Sequence, residues 1–363
     1  MPDTASLSPL TRAQHFAEQL GIHLPVLLAP MAGACPPSLS IAVANAGGLG
    51  ACGALMMKPA EILSWCSEFR AQSQGAFQLN LWIPDPPPVR DTQLENRQRE
   101  FLANWGPPVP PQAAQSALPD FEKQCEALLS ASPKAVSSIM GLYPPRFVAE
   151  LKARGILWFA TATTVEEARA AAAAGADAIV AQGMEAGGHR GAFRASDAEY
   201  QLVGLLALLP QIVDAVDVPV IATGGIADTR AIAAALLLGA SAVQIGTGLL
   251  RAPESTIHPA YADRLARTEA HDTMLTRAFS GRLGRSVATT YVRAAANGPA
   301  PAPYPVQRGL TSAMREAARQ AADPERMQLW AGQSAKFAQA EPAGEIVRSL
   351  WEGAVRLLQH AAS

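Results

Sequence analysis

The residues with the plainest chemical potential stand just after short apolar runs. His189 lies between Gly187-Gly188 and Arg190-Gly191, so its small neighbours leave the imidazole unobstructed. An ordinary pKa near 6.5 makes such a ring a natural acid or base. His15, His258, His271 and His360 fall in helical or peripheral stretches, and His23 precedes the first apolar run. No second His, Asp or Glu stands at ligand spacing from His189, so metal binding is not expected. Asn80 and Gln182, each at the end of an apolar run, are neutral amides able to pair with the alternating donors and acceptors of a planar heterocycle. A loop amide satisfied by its own neighbours is the plain alternative for each.

Two glycine turns form the second group, Gly224-Gly225-Ile226-Ala227-Asp228 and Gln244-Ile245-Gly246-Thr247-Gly248. Glycine lets backbone N–H groups approach an anion closely, and a helix that follows adds the positive end of its dipole. Together the turns point to a phosphate-bearing ligand. Gly48-Leu49-Gly50-Ala51-Cys52-Gly53 also matches G-x-G-x-x-G, but a helix (38–46) is expected before it and the match itself reads as a strand. A dinucleotide fingerprint needs the reverse order. Cys35 has no cationic neighbour in sequence and is expected to be a packed side chain. Ser280-Gly281-Arg282 and Arg285 suit either contact with an acidic group or solvation at the surface.

The elements that must position these groups are β-α units. Apolar runs at 26–29, 49–53, 77–81, 135–139, 157–160, 178–181, 218–222 and 242–245 alternate with Ala-rich amphipathic stretches. Eight such units close a (β/α)8 TIM barrel, whose active site forms at the carboxyl ends of the strands. Pro59, Thr164 with Glu166 and Glu167, and Asp228 supply helix starts. Residues 84–119 hold nine of the 29 prolines and read as an elaborated loop after the third strand, either a solvated insertion or a lid at the barrel mouth. The expected division is a barrel over 20–250 and a mainly helical subdomain and tail over 251–363. Helical patterns are expected near 261–277, 311–322 and 345–361.

Composition removes other classes. Apolar residues make up 49% and charged residues 17%, which excludes disorder over most of the chain. A net charge of -2 offers no footprint for nucleic acid or anionic lipid. The uncharged stretches 24–57 and 231–250 are broken by prolines, glycines and polar residues, so they read as buried core rather than membrane spans. Four irregularly spaced cysteines indicate neither a zinc site nor a disulfide framework. With no apolar leader near Asp3, Arg12 and Glu18, a cytoplasmic protein with reduced thiols is expected. Self-association is left open.

The motifs APMAG (29–33), NAGGLG (45–50), the block from Thr161 to Phe193 ending in GGHRGAF, PVIATGGIAD (219–228) and VQIGTGLL (243–250) are similar to those of the nitronate monooxygenase family, class I. PYPVQ (303–307) and LWAGQ (329–333) extend the resemblance over roughly nine-tenths of the chain. It implies an FMN-dependent barrel that oxidises alkyl nitronates, propionate 3-nitronate above all, with O2. On that resemblance Asn80, Gln182, Gly187, Gly224, Gly225, Gln244, Ile245, Gly246 and Thr247 would hold FMN, and His189 would be the active-site histidine. The chain departs from the pattern at 136–142, which lacks an aromatic often found there, and at Cys35-Pro36-Pro37. The rival reading is an FMN-dependent NAD(P)H:quinone or enoyl-thioester reductase.

Overall fold

The computed structural model describes residues 7–115 and 117–362. Numbered along the chain, the barrel strands are β1 (Val26–Leu28), β2 (Gly50–Gly53), β3 (Phe77–Trp82), β4 (Ala135–Ile139), β5 (Leu157–Ala162), β6 (Ala178–Gln182), β8 (Val220–Thr223) and β9 (Ala242–Ile245). They hydrogen-bond in the order β1-β9-β8-β6-β5-β4-β3-β2, all parallel. A parallel bridge between Leu27 and Leu49 joins the two ends. The eight expected runs coincide with these strands to within a residue or two, and the GxGxxG match falls on β2.

The register decides what fills the barrel. Side chains alternate along a strand, and Leu27, Ala135, Phe159, Ala178, Val180, Ile221 and Ala242 form one apolar layer inside. Phe16, Ala17 and Leu20 of the helix Pro9–Leu20 plug that end. Two residues further along each strand, on the same face, stand Ser137, Thr161, Gln182, Thr223 and Gln244, all buried. Gln78 and Asn80 share this face through their pairing with Ala135 and Ser137. The interior therefore changes from apolar to polar toward the carboxyl ends of the strands. The opposite parity (Leu28, Leu79, Val136, Trp158, Ile179, Val243) packs beneath the helices.

Local signals set the helix starts. Thr164 accepts a hydrogen bond from the amide of Glu167, and Asp228 accepts one from that of Ala231. The helix Thr229–Leu237 follows β8, whereas β9 leads into a 3-10 turn, Thr247–Leu249, and no helix of its own packs at that position among the described residues. Its place is taken by Ala343–Ala362, which packs against Thr229–Leu237 and Pro37–Asn45.

Two expectations need revision. The elaborated loop expected over 84–119 carries secondary structure of its own: among its described residues are the helix Thr92–Leu102 and a 3-10 turn, Pro111–Gln115. Leu102 and Ala114 share a small core with Phe279, Tyr291, Val306 and Leu310. The helical pattern expected over 261–277 holds only for Pro259–Ala266. Beyond it, β10 (Thr273–Thr276) and β11 (Gly284–Val287) form an antiparallel hairpin, and β11 pairs with the two-residue strand β7 (Gly188–His189). The β-branched ends of Thr-Met-Leu-Thr suit a strand, and pairing with a segment far along the chain overrides the helical pattern. Among the described residues, no helix is long and apolar enough to cross a membrane.

Candidate active site

Every predicted site residue lies at the carboxyl ends of the strands. On one side of the mouth are the glycine turns. Gly224 and Gly225 have φ of +110° and +70°, a conformation that disfavours any residue with a Cβ. A Cβ on Gly225 would also stand 3.2 Å from Cβ of Glu185, and one on Gly187 would meet the backbone carbon of Ala331 at 2.7 Å. The amides of Gly224, Gly225, Gly246 and Thr247 give no hydrogen bond to any described residue. The tail completes this rim: the Gly332 amide donates to Thr247 Oγ1 at 3.0 Å, and Ser334 Oγ donates to the Gly225 carbonyl. Gly332 and Ser334 were not anticipated; the LWAGQ segment was the one signal that pointed toward them.

The amides are partly committed. Gln244 Oε1 accepts from Gln78 Nε2 at 3.2 Å, while Gln78 Oε1 is buried with no partner among the described residues. Asn80 Nδ2 donates to the Ser137 hydroxyl and carbonyl at 3.0 and 3.2 Å. Gln182 clamps the neighbouring loop: its Nε2 donates to the His189 carbonyl at 3.1 Å and its Oε1 accepts from the Gly191 amide at 2.8 Å. Arg190 is structural. Its guanidinium donates to the carbonyls of Gln182, Thr163 and Gln201 and so ties the loop down from beneath.

His189 stands on the other side of the mouth. Its ring lies edge-on to Trp82, with centroids 4.6 Å apart, and 4.7 Å from Trp330. Tyr304 packs 5.3 Å from Trp82, and Tyr261 holds Trp330 through its carbonyl. Nε2 of His189 is 2.8 Å from Ser280 Oγ. Desolvation, reinforced by Arg282 and Arg308, pushes the imidazole pKa down to about 3. His189 is therefore neutral through the physiological range.

Two donors beside it have no hydrogen-bond acceptor among the described residues. Arg282, 3% exposed, donates Nη2 to the Ala192 carbonyl at 3.0 Å. Its Nη1 lies 3.4 Å from Asp85 Oδ1 as an ion pair, but it has no aligned hydrogen-bond acceptor. The Tyr304 hydroxyl is buried with no partner among the described residues, and burial pushes its pKa up to about 12, so it remains a donor. Arg282 and Arg308 both act on the imidazole, so the pocket favours an anion. Ser280, Arg282 and Arg285 are all buried, which removes the reading of solvated surface groups. Trp82, Tyr304 and Trp330 were not singled out individually, because nothing local to them reports their convergence.

Cys35 Sγ lies against the Ala29 carbonyl at 3.2 Å, and burial pushes its thiol up to about 12, so it is a packed side chain. Among the described residues, no group of three His, Cys, Asp or Glu side chains is arranged to hold a metal.

The chain is similar to known proteins over nearly its whole length. A family model described as nitronate monooxygenase matches residues 14–353. A probable nitronate monooxygenase of Staphylococcus aureus (strain Newman) is 33% identical over 352 residues, covering 95% of this chain and 98% of the relative. The solved structure of nitroalkane oxidase from Streptomyces ansochromogenes superposes with a TM-score of 0.86 at 36% identity, covering 96% of this chain and all (100%) of that one. FabK from Thermotoga maritima superposes with a TM-score of 0.73 at 27% identity, covering 96% of this chain and 98% of that one. With its barrel, its glycine rim and His189 in a cationic pocket, the chain is an oxidoreductase that belongs to the nitronate monooxygenase family.

Proposed function

We propose that the protein binds FMN and uses O2 to oxidise small alkyl nitronates of the propionate 3-nitronate type, yielding a carbonyl compound and nitrite or nitrate. The observation that carries this reading is a pair of buried donors with no hydrogen-bond acceptor among the described residues, Arg282 Nη1 and the Tyr304 hydroxyl, beside a neutral imidazole. They fit the oxygens of an anion, and the walls of Trp82 and Trp330 favour a small one.

The residues present also fit the cofactor. Uncommitted amides at Gly224, Gly225, Gly246 and Thr247 suit a phosphate, and the glycines leave room for its close approach. Asn80, Gln182 and Gln244 would hold the ring edge with their remaining donors and acceptors, Gly187 would give backbone space, and Ile245 would support the turn from below. When bound, FMN supplies the redox chemistry that no side chain here can provide.

The chain's own share is binding and electrostatics. Arg282, Arg308 and Tyr304 hold the nitronate oxygens, and the tryptophans exclude water, which strengthens those contacts. His189, uncharged, adds no further attraction for the anion.

The likeness to FabK supports the second reading, a reductase. The discriminating experiment mixes the purified yellow protein with propionate 3-nitronate in air, following oxygen uptake and nitrite, and separately with NADH plus a quinone or an enoyl thioester without oxygen. Oxygen uptake with the nitronate, and no flavin bleaching by NADH, is the expected result. Bleaching by NADH with no response to nitronate overturns the proposal in favour of the reductase.

A further inference from the structure

We propose that Ser280 is the positioning residue that holds His189 in its Nε2-protonated tautomer and leaves a bare Nδ1 facing the cleft. The use that His189 makes of Nδ1 rests on the function proposed above; the tautomer itself does not.

The argument is a count of protons. The Ser280 hydroxyl has three neighbours: it accepts from the Arg282 amide at 3.2 Å, lies 3.1 Å from the Arg282 carbonyl, and lies 2.8 Å from His189 Nε2. A carbonyl only accepts, so the single hydroxyl proton satisfies it. The oxygen then offers a lone pair to the imidazole, and Nε2 must carry hydrogen. With Nδ1–H instead, either the carbonyl or Nε2 would lose its partner in a buried turn. Ser280 is 2% exposed and cannot substitute water.

The surroundings hold both partners still. Gly281 has φ of +89°, and a Cβ there would stand 2.6 Å from the Tyr304 amide nitrogen, so the turn is restricted to glycine. Pairing of Gly284 with His189, and of the Arg190 amide with the Leu283 carbonyl at 2.9 Å, fixes the two backbones against each other. Nδ1 makes no hydrogen bond to a described residue and is not among the sealed polar atoms. The charged and titratable groups around the ring are Arg282, Arg308, Asp85 and Tyr304, and the two guanidinium groups oppose a second proton.

Such a ring accepts the α-proton of a neutral nitroalkane. The C–H electron pair stays on the substrate and delocalises into the nitro group, giving the nitronate, while the proton bonds to Nδ1. The nitronate lies beside Arg282 and Arg308 and offsets the repulsion that opposes the imidazolium. A substrate supplied as preformed nitronate needs no such transfer.

The test is a long-range proton–nitrogen correlation spectrum of the protein carrying 15N-histidine, with the His189 signals assigned by their loss in His189→Asn. An Nε2–H pattern at neutral pH is expected; an Nδ1–H or imidazolium pattern in the wild type overturns the proposal without any variant. In Ser280→Ala the pattern should become mixed. Turnover of nitroethane should fall about tenfold, the scale of one lost hydrogen bond, while turnover of preformed ethylnitronate changes less than twofold. Ser280→Thr should restore the wild-type spectrum. Equal losses with both substrates, or an unchanged tautomer in Ser280→Ala, would overturn it. If the nitronate reading itself fails, both substrates are inert and the wild-type spectrum still decides the tautomer.

Discussion

The two sides of the barrel mouth are built in different ways. The glycine rim is assembled largely from contiguous sequence, Gly224-Gly225 after β8 and Gly246-Thr247 after β9, with Gly332 and Ser334 added from the tail. The histidine side draws on Trp82, His189, Ser280, Arg282, Tyr304 and Trp330, no two of them in the same run except the Ser280–Arg282 turn. The first side is a matter of backbone conformation. The second is a matter of side chains brought together from distant segments. Cofactor retention should therefore depend on one side and substrate processing on the other.

The largest effect tests the glycine side. Gly225→Val places a β-branched residue at a φ of +70°, against Glu185. The purified variant is expected to be nearly colourless, with flavin content at least tenfold below wild type on heat release. Full flavin occupancy would mean that the grip lies elsewhere.

His189→Asn should do the reverse. Flavin content stays at the wild-type level while kcat for a neutral nitroalkane falls about 100-fold to 1000-fold, within the range for loss of a positioned acid or base. Steady-state kinetics check this, and unchanged turnover would remove His189 from the chemistry.

The histidine side also predicts a pH dependence of stability. The folded pKa of His189, about 3, lies below the unfolded value near 6.5, so between these values the unfolded chain binds the extra proton. This contribution to stability is present above pH 6.5 and is lost as pH falls toward 3, by up to about 1.4 kcal/mol per unit and less because the ring is half-buried. Urea unfolding at pH 7 and pH 5 should show a smaller loss for His189→Asn than for wild type. Parallel losses would show that the ring is not desolvated as described.

The smallest effect sharpens the reading of the unused donors. Tyr304→Phe removes a hydroxyl that has no partner, so the thermal midpoint should hold or rise slightly, while KM for the nitronate rises about threefold to tenfold. A lowered midpoint with unchanged KM would make the hydroxyl structural.

Much of the frame was legible because its causes are local. Short apolar runs between turns mark Ala135–Ile139 and Ala242–Ile245 to the residue, and positive φ explains why glycines stand at 224 and 225. The misread stretch at 273–276 shows the limit. Its strand exists because Gly284–Val287 pairs with it and, in turn, with Gly188–His189.

The sequence by itself determined the parallel eight-stranded frame, the glycine turns and His189 as the group to watch, since each follows from the conformational preferences of neighbouring residues. Only the tertiary structure decided what His189 is. Its charge, its hydrogen-bond partner 91 residues away and its aromatic walls depend on desolvation and on contacts between distant segments. Those are properties of packing, and spacing along the chain does not encode them.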